Sequence, residues 1–431
     1  MNGRLSPCRM IARHLIPAMA CILMVAVVPQ HANAHRKVVR PPGATHPLVS
    51  ETIIEDSSGH ALETFAAALR RARNHAGQAR ILVWGASHTA ADLWTGTLRR
   101  GLQALYGDAG HGFVLPGRPW AYYRQSDVNL ASSDGWFTDR VDKADARPDG
   151  LYGIAGASVS SASAADWSRA ATTRENPMGR KVSRIEAWYL KQPGGGAFDI
   201  RIDRKKPVRI STSADQREAG YQVFDLPDGP HQVEIRPAGN GEVRMFGLVL
   251  ERRVPGVVVD TLGIPGTRAE HMLKWDQEIL AQQVARRRPD LVILAYGTNE
   301  AGDDDVPIES YEIMLREVMQ RVKTVAAGAS CLLIGPTDRP LQLPSGAFGP
   351  RPRRAQVTDV QRRVSADIGC AFFDTAAFMG GEGGMVNWVK AQTPLGSRDH
   401  VHLTPISYEI MGRTILAELL RLAAEGSRKI P

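Results

Sequence analysis

The sequence of 431 residues predicts an α/β fold, in which a parallel sheet lies between two layers of helices, together with an all-β region. In the first and last parts of the chain, apolar runs typical of buried strands alternate with amphipathic helical segments. From about residue 118 to 254 the chain instead has short strand-like runs separated by turns rich in glycine and proline. We therefore expect one α/β domain with an inserted all-β domain of the sandwich or jelly-roll kind.

The first 34 residues have the pattern of a secretory signal peptide. Three arginines precede an apolar run from Leu15 to Val28, and a motif of small residues ends at Ala34. The apolar run is too short to favour a stable membrane anchor. We expect cleavage after Ala34, export to the periplasm, and a flexible lead-in over residues 35–50.

Charge and cysteine content narrow the function classes. The net charge of +8 at pH 7 includes three arginines in residues 1–34, whose removal would leave +5. The basic residues are scattered, so no nucleic-acid partner is expected. Two cysteines remain after processing, Cys331 and Cys370, and each begins a strand-like run. The sequence is compatible both with a disulfide between them and with two buried thiols. A zinc site is not expected.

The α/β domain is predicted in two pieces, residues 51–117 and 255–431. In the first piece we expect a helix over Ala61–Ala76, a strand at Ile81–Trp84 and a helix from about Thr89. In the second piece the expected order is strand Val257–Asp260, helix Leu273–Val284, strand Asp290–Ala295, helix Glu309–Ala326, strands Cys331–Gly335 and Cys370–Asp374, and helix Pro405–Ala423.

The inserted region, residues 118–254, carries the predicted strands of the all-β domain. They are Ile185–Leu190, Phe198–Ile202, Val208–Thr212, Val233–Arg236 and Val243–Leu250. Four aromatic residues near its start fit either core packing or a surface on which sugars stack: Trp120, Tyr122, Tyr123 and Trp136.

Residues with catalytic chemistry follow the strands of the α/β domain. Ser87 follows the Ile81–Trp84 strand, Gly266 and Asn299 follow the next two, and Asp399 precedes His402 by three residues before the last helix. Open α/β sheets keep their sites at the carboxyl ends of their strands. An acyl-transfer site needs a nucleophile, a base, a group that orients the base, and donors for the oxyanion. These residue types supply all four.

Other interpretations exist for several single residues. A serine after a strand is often a helix N-cap, and Asn299 alone fits a turn. Gly263 is an alternative to Gly266, and His400 is an alternative base to His402. His88 fits a structural or substrate-facing role better than that of the base. The acidic run Asp303–Asp305 fits a solvated approach to a helix, with no second ligand cluster to suggest a metal.

In chain order, these blocks resemble those of the SGNH (GDSL) hydrolase superfamily. The blocks are Gly85–His88, Gly266, Gly297–Asn299 and Asp399–His402. Further segments resemble the periplasmic peptidoglycan O-acetylesterases of that superfamily: Gly107–Phe113, Gly194–Gly196, Pro227–Pro230, Gly241–Gly247, Asp260–Gly263 and Gly380–Gly383. One departure is Ala86, where the family usually has Asp between the glycine and the serine.

The resemblance implies a three-layer, flavodoxin-like SGNH domain with an inserted carbohydrate-binding-like β-domain. It implies a triad of Ser87, Asp399 and His402, and an oxyanion hole formed by Ser87, Gly266 and Asn299. The expected activity is removal of O-acetyl groups from a glycan polymer, either peptidoglycan or an acetylated exopolysaccharide such as cellulose. An O-acetyltransferase and a non-catalytic glycan-binding protein with a relic site are the alternatives. No cofactor or metal is expected, and the oligomeric state is not indicated.

Overall fold

A computed structural model describes residues 46–428 of the chain. The predicted signal peptide and most of the predicted lead-in lie outside these residues. The strands are, in chain order, β1 (Ile54–Glu55), β2 (Gln78–Gly85), β3 (Gly110–Val114), β4 (Val128–Ser132), β5 (Phe137–Arg140), β6 (Ala157–Ser161), β7 (Ser168–Thr172), β8 (Val182–Lys191), β9 (Ala197–Ile202), β10 (Val208–Ser211), β11 (Glu218–Gly229), β12 (Gln232–Pro237), β13 (Val243–Glu251), β14 (Gly256–Gly263), β15 (Leu291–Ala295), β16 (Ser330–Ile334), β17 (Leu341–Gln342), β18 (Phe348–Gly349) and β19 (Ala371–Phe373).

The helices are α1 (Glu63–Arg73), α2 (Ser87–Ala90), α3 (Trp94–Tyr106), α4 (Gln277–Arg287), α5 (Ile308–Val325), α6 (Pro352–Asp367), α7 (Thr375–Phe378), α8 (Gly384–Lys390) and α9 (Pro405–Arg428). Two short 3-10 turns, Ala269–Lys274 and Glu300–Gly302, follow β14 and β15. No helix within residues 46–428 is both long enough and apolar enough to cross a bilayer.

The central sheet has the strand order β1-β19-β16-β15-β2-β14. Five of its strands are parallel, and the two-residue edge strand β1 runs antiparallel to β19. Gly85 at the end of β2 pairs with Gly263 of β14 and with Ala295 of β15. The carboxyl ends of three adjacent strands therefore lie at the same level, and the loops that follow them meet at one edge of the sheet.

Helices cover both faces of this sheet because side chains alternate along each strand. Ile81 and Val83 of β2 belong to an apolar cluster with α1, α3 and α9. Leu82 and Trp84 belong to a second cluster with α4, α5 and α6. The predicted arrangement of a parallel sheet between two helical layers is present.

Two antiparallel sheets account for most of the remaining strands. One has the order β10-β9-β12-β7-β4, and the other has the order β11-β8-β13-β6-β5 with β3 also paired to β13. They share an apolar core that includes Ile185 of β8, Phe198 of β9 and Val233 of β12. This antiparallel part begins at Gly110, eight residues before the predicted start of the inserted domain.

The sheet containing β13 is buried on both faces. While Met245 and Leu248 face the antiparallel core, Phe246 and Val249 pack in the cluster that contains Trp84. Every residue of β13 is buried, which explains why its sequence reads as a nearly continuous apolar run. The Trp84 indole Nε1–H also donates to the Ile154 carbonyl at 2.8 Å. The strand that precedes Ser87 is thus fixed directly to the antiparallel part.

Several predicted helices differ in the structure. The helix expected from Thr89 is interrupted, because Asp92 has a φ of +51° and its carboxylate is tied to Arg99 and Thr95. The helix expected over Leu273–Val284 is a 3-10 turn followed by α4, whose N-cap Asp276 accepts the Ile279 N–H at 2.8 Å. Helices α6 to α8 and strands β1, β3 to β7, β11, β17 and β18 were not predicted.

Specific bonds fix two further segments of the described chain. Cys331 and Cys370 form a disulfide that joins the starts of β16 and β19. Near the first described residues, the Leu48 carbonyl accepts the Trp388 indole N–H at 2.8 Å, and the Ser50 N–H donates to the Phe378 carbonyl. The last residues of the predicted lead-in are therefore held against α7 and α8.

Candidate active site

The turn between β2 and α2 presents Ser87 at the carboxyl edge of the parallel sheet. A Cβ on Gly85 would lie 2.4 Å from Thr89 Oγ1 and 2.9 Å from the Ala295 carbonyl, so this position has room only for glycine. Ala86 is buried, and its carbonyl accepts the N–H groups of Thr89 and Ala90. Ser87 is partly exposed among buried neighbours. The turn therefore forms without the aspartate that the family usually has at position 86.

Ser87, His402 and Asp399 form one hydrogen-bonded chain. His402 Nε2 lies 2.8 Å from Ser87 Oγ, and His402 Nδ1 lies 2.7 Å from Asp399 Oδ2. The structure brings these three predicted residues together although Ser87 and His402 are 315 positions apart. The side chains of His402 and Asp399 remain 39% and 51% exposed.

Asp399 is oriented by its own loop. Its second oxygen, Oδ1, accepts the backbone N–H groups of Val401 and His402, both at 2.9 Å. Burial by itself would raise the pKa of Asp399, but hydrogen bonds from the His402 ring and from these two N–H groups lower it to about 2. The carboxylate therefore stays ionised at neutral pH and can stabilise a protonated His402.

The two other predicted oxyanion donors lie on the loops after β14 and β15. Gly266 is exposed and has a φ of +85°, while Asn299 is partly exposed. Asn299 Nδ2 donates to the Thr267 carbonyl at 2.8 Å, which fixes the plane of its amide beside the Gly266 loop. Gly263 is buried, and a Cβ there would lie 2.4 Å from the Ala90 nitrogen. Gly266 is therefore the accessible glycine of the two.

Glu300 joins the two donor loops and was given no role from the sequence. Its Oε1 accepts the Ala269 N–H at 2.9 Å, and its Oε2 accepts the Gly297 N–H at 3.0 Å. The residue is 3% exposed, and burial raises the pKa of its carboxyl group. One buried side chain thereby bonds both the segment that follows Gly266 and the segment that precedes Asn299.

The antiparallel part also reaches the Gly266 loop. Arg140 of β5 donates to both oxygens of Asp142 and to the Pro265 carbonyl. Its guanidinium lies over the Trp120 ring, 5.4 Å from the centroid. Asp142 Oδ2 is 3.8 Å from the point where a Cβ on Gly266 would lie.

The four aromatic residues near the start of the predicted insert occupy different environments. Trp136 is buried in the antiparallel core and donates to the Trp167 carbonyl. Tyr123 accepts the Leu115 N–H and packs edge-on against Trp120. Tyr122 is 89% exposed. Of the four, Tyr122 is the most exposed, and Trp120 and Tyr123 are partly exposed.

Neither of the other two histidines near the triad contacts Ser87 Oγ through a hydrogen bond. His88 is buried, and its Nδ1 lies 2.8 Å from the Tyr408 hydroxyl while its ring lies 5.2 Å from that of His402. Burial, with the neighbouring His402, lowers the pKa of His88 to about 3. His400 stacks on Phe348 at 3.7 Å between ring centroids.

Two residues of the acidic run after Asn299 form ion pairs. Asp303 accepts both Nε and Nη2 of Arg268, at 2.7 and 2.5 Å, and Asp304 pairs with Arg351. In residues 46–428, no group of three or more His, Cys, Asp or Glu side chains is arranged to hold a metal ion.

The hydrogen-bonded Ser–His–Asp chain lies beside the loops that carry the predicted oxyanion donors, at the edge of a parallel sheet, and this is the arrangement that serine hydrolases use. Residues 228–410 match the model of the GDSL-like lipase/acylhydrolase family. The predicted relation to the SGNH (GDSL) hydrolases is therefore confirmed, and the protein is an ester-hydrolysing enzyme.

The chain is similar to several solved structures, of which one matches closely enough to support the fold. A structure of a peptidoglycan O-acetylesterase has 22% sequence identity and a TM-score of 0.71, and the match covers 86% of this chain and 99% of that chain. A family two carbohydrate esterase from Cellvibrio japonicus matches with 13% identity over 69% of this chain and 98% of its own, with a TM-score of 0.29. A search of curated proteins finds no significant match.

Proposed function

We propose that the protein is an exported esterase that removes O-acetyl groups from a polysaccharide through an acyl-serine intermediate. The observation that carries this proposal is the hydrogen bond of 2.8 Å between Ser87 Oγ and His402 Nε2, with Asp399 on the opposite ring nitrogen. A hydroxyl bonded to an oriented imidazole can be deprotonated as it attacks a carbonyl carbon.

In the acylation half, Ser87 Oγ attacks the acetyl carbonyl while its proton passes to His402 Nε2. The tetrahedral intermediate expels the sugar oxygen, which takes the proton from His402. In the second half, His402 removes a proton from water, the hydroxide attacks the acetyl-serine, and acetate leaves as Ser87 regains its proton. Asp399 holds the imidazole tautomer and stabilises its charged form in both halves.

The oxyanion is proposed to bind the backbone N–H groups of Ser87 and Gly266 and the amide of Asn299. Each such donor contributes about 2.7–4 kcal/mol to the stability of the transition state. The exposure of Gly266 and the fixed plane of the Asn299 amide support these roles.

We further propose that the antiparallel sheets, over the predicted range 118–254, form an inserted carbohydrate-binding-like β-sandwich. The shared core of the two sheets supports a sandwich, and the contact of Arg140 with the Pro265 carbonyl supports a position of this sandwich beside the proposed acyl site. Export to the periplasm rests on the pattern of residues 1–34 alone. The likeness to a peptidoglycan O-acetylesterase favours peptidoglycan over acetylated cellulose as the substrate.

The test is release of acetate from O-acetylated sacculi, from acetylated exopolysaccharide and from a neutral aryl acetate. We expect release by the native protein, labelling of Ser87 by a fluorophosphonate, and a loss of at least about a thousandfold in kcat for Ser87→Ala. A fold check by thermal unfolding accompanies the variant. Retention of activity in Ser87→Ala would overturn the proposal.

The same assay separates the two alternatives. With a labelled acetyl donor and an added glycan acceptor, an acetyltransferase would place the label on the acceptor, whereas the proposed esterase releases it as acetate. A binding protein with a relic site would neither release acetate nor react with the fluorophosphonate.

A further inference from the structure

Arg339 lies beside the oxyanion loop in the segment that follows β16, at the same edge of the parallel sheet as Ser87. Its Nη1 donates to the Thr298 carbonyl at 2.7 Å and to the Asn299 carbonyl at 3.3 Å. The guanidinium also lies against Gly302, where a Cβ would be 2.6 Å from Arg339 Cζ. The side chain is therefore held in one orientation, directly behind a proposed oxyanion donor.

The charges around Arg339 leave it without a counter-ion. Three guanidinium groups and two carboxylates of this cluster influence one another, but Asp303 pairs with Arg268 and Asp304 pairs with Arg351. Within the described part of the chain, no carboxylate lies within ion-pair distance of Arg339. Its Nε and Nη2 groups also have no hydrogen-bond acceptor among residues 46–428.

This situation is unusual for a partly buried cation near a catalytic site. Burial, with the nearby Arg351, lowers the pKa of the Arg339 guanidinium, which means that the protein environment disfavours its charge. The positive charge of Arg339 also contributes to lowering the pKa of His88, next to Ser87. An acidic group that occupied the Nε–Nη2 edge would compensate this charge with two parallel hydrogen bonds, the geometry in which arginine binds a carboxylate.

We propose that Arg339 is an anion subsite that binds a carboxylate of the glycan while its acetyl ester lies at Ser87. This inference rests on the proposed esterase function and deepens it, because it selects an acidic acetylated glycan over a neutral one. Peptidoglycan, whose peptide stems carry carboxylates, satisfies this requirement. Acetylated cellulose does not.

The test compares kcat/KM on soluble O-acetylated peptidoglycan fragments with kcat/KM on the same fragments after their carboxylates are capped as methylamides. Neutral acetylated cello-oligosaccharide and 4-nitrophenyl acetate complete the set. We expect the full-length native enzyme to prefer the uncapped fragments by about tenfold or more, the usual contribution of a charge-assisted pair. In Arg339→Gln that ratio should fall close to one, whatever the variant does to the rate on aryl acetate.

Arg351→Gln is the matched control, because it removes a neighbouring guanidinium that already has a carboxylate partner. It should keep the preference for uncapped fragments. Equal loss of the preference in both variants would mean that the preference depends on the net charge of the protein, and this result would overturn the subsite. So would equal rates on capped and uncapped fragments, a preference for cello-oligosaccharide, or hydrolysis of aryl acetate with no glycan accepted. Absence of aryl acetate hydrolysis would instead refute the esterase function itself.

Discussion

The two halves of the candidate site are held in different ways. Ser87, His402 and Asp399 are linked by side-chain hydrogen bonds, and the His402 and Asp399 side chains are about 40% and 50% exposed. The loops of Gly266 and Asn299 are instead joined by Glu300, a carboxylate that is 3% exposed and bonded to two backbone N–H groups.

The difference matches the role that is proposed for each half. In the proposed mechanism the triad moves protons and must admit water for deacylation, so access to solvent serves it. Oxyanion donors act only through fixed positions, and misplacement weakens them at the moment when charge develops. Buried bonds are the suitable support for that half, since they exchange little with water.

The largest effect should come from the orienting acid of the exposed half. In Asp399→Asn, the amide oxygen can still accept the Val401 and His402 N–H groups, while its NH2 faces His402 Nδ1. The ring would then carry its proton on Nε2 and could not accept the Ser87 proton. We expect kcat on aryl acetate to fall by about 10³–10⁴, as for orienting acids of serine hydrolases. A loss below tenfold, with unfolding unchanged, would show that Asp399 does not set the tautomer.

A smaller effect, with a different signature, is expected in the buried half. Glu300→Gln would present an NH2 group to one of two backbone N–H donors and leave that donor unpaired, at a cost of about 1–3 kcal/mol in stability. Displacement of the donor loops should lower kcat by about 10- to 100-fold with little change in KM. The readouts are the free energy of unfolding and steady-state kinetics.

Glu270→Gln is the control for this variant, because Glu270 lies on the same segment and is exposed. It should leave the free energy of unfolding within about 0.5 kcal/mol, and kcat within about twofold, of the native values. If Glu300→Gln changed stability but not kcat, Glu300 would be a structural residue without a positioning role.

The smallest effect concerns pH. Hydrogen bonds keep the pKa of Asp399 near 2, and burial keeps that of His88 near 3, so neither group changes protonation between about pH 4 and 8. The acid limb of log kcat/KM on a neutral aryl acetate should therefore have a slope no steeper than one, because neither Asp399 nor His88 contributes to it. A slope of two would mean that one of these two groups does change protonation in this range.

The strands that carry the site were predictable because each is a short apolar run that ends in glycine or a polar residue. Helix α6 was not, because its buried side is interrupted by polar residues. Gln361, for example, is fully buried and donates to the Tyr296 carbonyl and the Tyr311 hydroxyl. The break at Asp92 was hidden for a similar reason, since its ion pair with Arg99 becomes apparent only when the chain has folded.

The candidate triad could be proposed from the sequence because its residue types and order resemble those of a family. The residues that hold the neighbouring loops in place could not be predicted from the sequence. Glu300 acts by accepting N–H groups from Ala269 and Gly297, and every residue except proline has such a donor, so no pattern distinguishes these two. Arg339 likewise lacks a carboxylate partner only because the nearby carboxylates already pair with two other arginines, which the sequence does not show.

The bond between Trp84 and the Ile154 carbonyl has a practical consequence for protein engineering. Excision of the antiparallel sheets would leave the Trp84 indole N–H, three residues before Ser87, without its acceptor, and would expose apolar side chains of β2 to water. A catalytic fragment obtained in this way should lose its fold rather than merely its affinity for polymer. Attempts to redirect this enzyme to another substrate will therefore have to replace individual residues around the site, because the antiparallel sheets cannot be exchanged as a unit.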